Sequence, residues 1–238
     1  MCQSILILKR PFFFGLALAL LPFGASAQES SVERDLYFWG YYEFEFVLHK
    51  DWNILFKNQV RLNENVSRFD YTAIDLEIEH ETADWLRLSA TYRYNLKNDL
   101  EDGWLNRHQV RGTASLRYEV DDFRFYNRSR IQTGVEDAFG VAEVSNNDLF
   151  YRNRTRVKYS ITNRWDVFGY FESYWRLGAR APDEGYIFRK RYGLGADFEV
   201  NSRESIRFFY VMDEQIRNSR PSWRYFMGFG YSRTFDLN

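Results

Sequence analysis

Trp85 to Leu96 reads WLRLSATYRYNL. Leu86, Leu88, Ala90, Tyr92, Tyr94 and Leu96 fall on one side of a period of two, and Arg87, Ser89, Thr91, Arg93 and Asn95 on the other. Successive side chains of a strand point to opposite faces, so this stretch is a strand with one apolar and one wet face. Thr72 to Ile78 repeats the pattern, with Thr72, Ile74, Leu76 and Ile78 opposed to Ala73, Asp75 and Glu77. Asn106 to Val120 sets Val110, Gly112, Ala114, Leu116 and Tyr118 against Arg107, Gln109, Arg111, Thr113, Ser115 and Arg117.

Carried along the chain, the alternation gives eleven candidate strands, at about 35–49, 52–66, 69–80, 85–96, 104–120, 123–134, 148–161, 165–177, 186–200, 205–215 and 223–235. Many exceed ten residues, longer than an ordinary globular strand of about five or six. A tilted strand needs about 9 to 11 residues to cross a membrane. The connections alternate in length. Those at 50–51, 81–84, 121–122, 162–164 and 201–204 are short, while 97–103, 135–147, 178–185 and 216–222 are longer. Trp52, Trp85, Phe123 and Trp165 each follow a short turn, and Trp104, Trp175 and Trp223 flank longer loops. Short turns at one end, long loops at the other and an aromatic girdle at each describe an outer-membrane barrel.

The expected fold is therefore all-β, a transmembrane antiparallel up-and-down β-barrel. Bacterial single-chain barrels usually have an even strand count. Eleven segments thus point to about twelve strands, with ten as the alternative.

The first residues agree with export. Lys9 and Arg10 precede an apolar run from Pro11 to Phe23 (PFFFGLALALLPF), and Ala25-Ser26-Ala27 supplies small residues for cleavage. This is the form of a secretory signal peptide, too short for a spanning helix of about 20 residues. The expected organisation is a cleaved signal at 1–27, a leader at 28–34 and a single barrel domain at 35–238, reaching the outer membrane of a Gram-negative envelope through the general secretory pathway. Losing Lys9 and Arg10 from the 32 bases leaves 30 against 33 acids, a balance that by itself names no partner. The one cysteine, Cys2, lies within the signal, so disulfide and thiol chemistry are not expected. Aromatic residues make up 19% of the chain, and two of its four prolines lie within the first 27 residues, which favours long strands.

The chain resembles the bacterial family catalogued as domain of unknown function 2490, grouped with outer-membrane β-barrels. The resemblance runs from about Trp39 to Phe235. It rests on Gln59–Phe69 (QVRLNENVSRF), Ala90–Tyr94 (ATYRY), Asn106–Arg111 (NRHQVR), Arg128–Gln132 (RSRIQ), Tyr151–Ile161 (YRNRTRVKYSI), Tyr170–Trp175 (YFESYW), Arg189–Ala196 (RKRYGLGA) and Gly228–Phe235 (GFGYSRTF), in that order. It implies an outer-membrane barrel and carries no activity. It also leads one to expect a final strand ending in an aromatic that the barrel-assembly machinery reads. Here Asp236, Leu237 and Asn238 follow Phe235.

With the apolar face against lipid, the other face lines the interior. On strands five to seven it presents Arg107, Arg111, Arg117, Arg124, Arg128, Arg130, Arg152, Arg154, Arg156 and Lys158 against one acid, Glu119, and Arg189 and Arg191 extend the series. Glu43, Glu45, Asp75, Glu77 and Glu79 form the opposing acidic wall. Clustered arginines favour anions, through their summed field and bidentate pairing with carboxylate or phosphate. The expectation is a porin-like channel for small anionic solutes. The alternative is a closed structural barrel whose charges form a salt-bridge network, with Lys57 and Arg61 pairing Asp75 and Glu77.

A lipid hydrolase ranks lower, since His49 and His80 sit beside short turns, His108 has outward parity with no serine beside it, and no Gly-Xaa-Ser-Xaa-Gly occurs. A soluble periplasmic ligand-binding barrel ranks with it. The protein is expected not to be an enzyme. Asp99, Glu101 and Asp102 read as loop residues, so no metal or other cofactor is expected. Arginines alternating with apolar residues in an exported chain argue against nucleic acid.

Overall fold

In the computed structural model all eleven candidate segments are strands. They are β1 (Arg34–His49), β2 (Trp52–Asn63), β3 (Arg68–Ala83), β4 (Leu86–Asp99), β5 (Gly103–Val120), β6 (Phe123–Glu136), β7 (Leu149–Ser160), β8 (Trp165–Leu177), β9 (Ile187–Asn201), β10 (Glu204–Gln215) and β11 (Ser222–Asp236). The structure describes residues 34–99, 103–136, 149–177, 187–216 and 222–237. The expected signal at 1–27, residues 28–33 of the leader, and Glu101 and Asp102 lie outside the described residues.

Each strand pairs antiparallel with its chain neighbour, and β1 closes the barrel against β11. The barrel has eleven strands where about twelve were expected. The reason is the closing pair. An even up-and-down barrel closes antiparallel, whereas an odd one must bring two strands of the same direction together. Here β1 and β11 run parallel, from Arg34↔Trp223 to Val47↔Asp236. Every edge is thereby paired, which removes the exposed ladder groups of an open sheet.

The short turns have the chemistry that tight hairpins need. Val120 pairs with Phe123 across Asp121-Asp122, and Asp121 takes φ 50°. A two-residue hairpin loop favours positive φ at its first position, and Asp tolerates it better than most residues. At the opposite end Glu64, Asn65 and Val66 all take positive φ (49°, 55° and 69°) in the β2–β3 turn, which Ser67 N–H closes onto Asn63 C=O at 3.0 Å. Extra residues bulge at Asp70 of β3 opposite Arg61 and Leu62, at Thr82 of β3, and at Phe188 of β9 opposite Tyr174 and Trp175, and the alternation resumes beyond each.

The barrel is apolar outside and polar within. Leu76 (50% exposed), Val110 (60%), Ile131 (51%) and Leu194 (62%) belong to an outward belt. Among the described residues, fifteen polar or charged side chains are buried against five apolar ones, so hydrocarbon does not fill the core.

Aromatic rings share the interior by lying over glycines on the next strand. Tyr170 faces Gly193, Phe168 faces Gly195, Phe209 faces Gly228 and Tyr41 faces Gly230. A Cβ at Gly193 would stand 2.1 Å from Tyr170 Cε1, and one at Gly228 would stand 2.0 Å from Phe209 Cζ. Missing side chains on β9 and β11 thus let rings from β8, β10 and β1 lie flat against the wall.

Candidate functional site

Strand parity brings the expected residues inside. The interior holds a cavity of about 450 Å³. Its basic lining comprises Lys57, Arg61, Arg93, Arg128, Arg130, Arg152, Arg154, Arg156, Arg191 and Arg207, and its acidic lining Glu43, Asp75, Glu77 and Glu79. Arg128, Arg130, Arg152, Arg154, Arg156 and Arg191 from the expected basic set reach the cavity, as do four of the five expected acids.

The remaining expected bases are placed elsewhere. Arg117 binds Glu119 at 2.6 Å near the short-turn end, where both are about as exposed as surface groups (43% and 44%). Arg124 binds Asp166 at 2.6 Å, and Lys158 joins Asp166 at 2.6 Å to Asp197 at 3.1 Å. Arg189 joins the cavity-lining Arg191 on Asp213, which is fully buried. Arg111 is buried and reaches Asp75 at 3.5 Å. Arg107 lies on the inward parity of β5 beside Gln109 and Arg111.

The opposing acids divide in the same way. Glu43 accepts from Lys57 at 2.9 Å, Glu45 from Asn53 at 3.2 Å and Thr234 at 3.1 Å, Glu77 from Thr91 at 3.0 Å, and Glu79 from Arg87 at 3.3 Å. Asp75 takes a two-pronged pair from Arg93.

The sequence reading missed a group of acids. Asp166, Glu172 and Asp197 stand without another acid beside them on β8 and β9, and Asp213 stands beside Glu214 on β10, and they meet the basic residues only when those strands close beside β7. Glu172, fully buried, accepts from Arg128 at 3.3 Å, Arg152 at 3.0 Å, Arg154 at 2.9 Å and Tyr174 at 3.0 Å. The arginines of β6 and β7 therefore find on β8 an acid beyond the single Glu119 of their own arc. Inward parity on β8 was the available signal. The expected pairing of Lys57 and Arg61 also changes, because Lys57 bonds Glu43 of β1. Arg61 instead stacks on Trp39 at 4.3 Å and Tyr71 at 4.9 Å.

Even so, the cavity keeps an excess of cations. Among the described residues, Arg61, Arg130 and Arg156 have no carboxylate oxygen within 4.0 Å. Arg156 is held by Tyr126 at 4.6 Å and Phe168 at 5.5 Å, and Arg130 by Thr113 Oγ1, which accepts from its Nε at 2.9 Å. A guanidinium stacked on a ring is positioned by its face while its N–H edge stays available for an anion.

Outside, Trp52, Trp85 and Trp165 are exposed at the short-turn end and Trp104 at the other, with Trp175 and Trp223 half-buried near the longer loops. Trp175 donates to Ser173 at 3.1 Å. His80 contacts Thr82 at 3.1 Å and the Trp52 ring, while His108 contacts Tyr92 Oη at 2.6 Å. Among the described residues, no three His, Cys, Asp or Glu side chains are grouped to hold a metal ion.

The family model described as "Protein of unknown function (DUF2490)" matches residues 36–234, from within β1 to within β11. No curated protein matches the chain.

Proposed function

The chain belongs to the DUF2490 family, proteins of unknown function, and on that premise we propose that it is an outer-membrane barrel whose interior passes small anionic solutes. The observation that carries this reading is the charge of the cavity, ten basic side chains against four acidic ones in its lining, a basic excess that persists after Glu172, Asp197 and Asp213 behind the wall are counted. An enclosed, low-dielectric channel focuses such a field, which raises the local concentration of anions and repels cations.

The outward belt supports the membrane part of the proposal. Leu76, Val110, Ile131 and Leu194 are each half or more exposed, and apolar surface on that scale calls for lipid or a partner. On this reading residues 1–27 direct export, the short turns face the periplasm, and the two sets of tryptophans sit at the two interfaces. Outer-membrane lipid and the assembly machinery are then the partners of the fold, and small anions those of the interior.

A closed, structural barrel is the second reading, favoured by the full burial of Glu172 and Asp213 under converging arginines. Conductance separates the two. The full-length protein, expressed and recovered from the outer-membrane fraction, is placed in a planar bilayer under a salt gradient. The reversal potential should lie on the anion side. Replacing Arg61, Arg130 and Arg156 together by glutamine should move it toward zero, and the shift should shrink in high salt as screening shortens the field to about 3 Å at 1 M. Insertion without current would favour the closed barrel, and recovery as a detergent-free soluble protein would remove the membrane reading.

A further inference from the structure

Arg130 is 8% exposed, lines the cavity, and has no carboxylate oxygen within 4.0 Å among the described residues. A buried cation with no carboxylate in contact is costly to hold, and the more distant Glu77 of the same cavity offsets that cost only in part. Its neighbours deepen the imbalance. Across the sheet Arg130 stands between Thr113 of β5 and Arg152 of β7. Arg111 projects two residues from Thr113 on the same face, a spacing of about 7 Å that long side chains span.

The acids that reach these flanking arginines are shared. Asp75 lies 3.5 Å from Arg111 but is already engaged by both prongs of Arg93. Glu172 bonds Arg152 at 3.0 Å and also serves Arg128 and Arg154. Arg130 and Arg152 thus line one wall of the cavity with Arg111 buried behind them, and the three have less than their share of negative charge. The bond from Arg130 Nε to Thr113 Oγ1 at 2.9 Å fixes the orientation of its fork.

We propose that Arg130, with Arg152 beside it in the cavity wall and the buried Arg111 adding charge behind them, forms a discrete seat for a doubly charged oxyanion, phosphate or the phosphate group of a small ester, on the inner wall of β5–β7. Each guanidinium offers its donors in pairs, matched to pairs of oxygens. An ion with two charges and three or more oxygens can engage several forks at once. Acetate engages one, and chloride offers no directional match. The seat rests on the anion-passing reading only in that the ion must reach the cavity from solution.

The test uses the full-length protein purified in detergent. Thermal unfolding is followed as inorganic phosphate is added at constant ionic strength, with acetate and chloride as comparison anions. Phosphate should raise the unfolding temperature saturably, and acetate should not. Arg130→Lys keeps the charge but loses the fork, and it should weaken phosphate binding by about tenfold, the loss of one charge-assisted hydrogen bond. Arg203→Gln, in the short β9–β10 turn, should leave binding unchanged.

Equal responses to phosphate and acetate, or wild-type affinity in Arg130→Lys, would overturn the seat. If Arg130→Lys does not fold, the wild-type comparison of anions still decides. Anion-selective current without saturable phosphate binding would remove the seat and spare the channel. Saturable binding by a barrel that passes no current would do the reverse.

Discussion

Glu172 is the residue on which the interior charge of β6–β9 depends. Arg128, Arg152 and Arg154 all donate to it, Tyr174 donates to it, and Arg191 stands 3.9 Å away. A buried carboxylate with four hydrogen bonds is compensated, and its removal leaves three cations facing one another. Glu172→Gln keeps the volume and discards the charge, and should destabilise the folded barrel by about 3–5 kcal/mol, the usual cost of stripping one partner from a buried pair. The guanidinium midpoint of barrels refolded into lipid vesicles measures it. An unchanged midpoint would mean that water already solvates these arginines, so that the network contributes little. Among the expected bases, Arg130 and Arg156 escape the compensation that Glu172 and Asp213 give their neighbours, and parity alone could not single them out. A one-dimensional pattern says which side of a strand a residue faces, not which acid arrives from two strands away.

Along a single strand, alternation decides almost everything. Leu88 is outward and 44% exposed, between His80 and Ala114 on the neighbouring strands. Ser89 is inward, between Glu79 and Thr113. Leu88→Arg puts a charge on the apolar belt two residues inside the short-turn end of β4 and should cost about 1–2 kcal/mol in a membrane, between the cost of about 2–4 at the midplane and about 0–1 at the interface. Ser89→Arg should cost much less, since its wall is polar and Glu79 stands directly across. Folded yield in vesicles compares the two, and equal tolerance would show that the faces are exchanged, as a one-residue slip would do. The strand segments were legible because this period is strict over twelve or more residues. The bulges at Asp70, Thr82 and Phe188 were not, because an extra residue in one strand is defined only against its partner.

For the molecule as a whole, the parallel joint between β1 and β11 fixes both the strand count and the shape of the interior. Tyr42 pairs with Tyr231 there, on the outward face. Neighbouring strands run about 4.8 Å apart, within the Cα separation of about 4.4–6.8 Å that a disulfide spans. In a Cys2→Ser background, the pair Tyr42→Cys and Tyr231→Cys should therefore oxidise to a disulfide in the folded barrel. Tyr42→Cys with Phe229→Cys, displaced by two residues, should not. Cross-linking at the displaced pair instead would place β1 in another register, and the absence of both would argue that the barrel closes elsewhere. The joint also seats Tyr41 over Gly230, so closure itself adds a ring to the cavity wall.

Sequence by itself determined the strands, the face each residue takes, the polarity of the two faces and the exclusion of a helical bundle, because side-chain period and turn chemistry are local properties of a chain. It also put the arginines of β5–β7 inside. Tertiary structure alone decided that the count is eleven, because whether the first and last strands meet parallel is a property of closure. It alone decided that Asp166, Glu172, Asp197 and Asp213 neutralise part of the basic wall, because those acids come from strands whose proximity the barrel creates. And it left Arg61, Arg130 and Arg156 without carboxylate neighbours, because charge compensation in a barrel runs across strands and across the interior, directions in which the linear sequence has no metric.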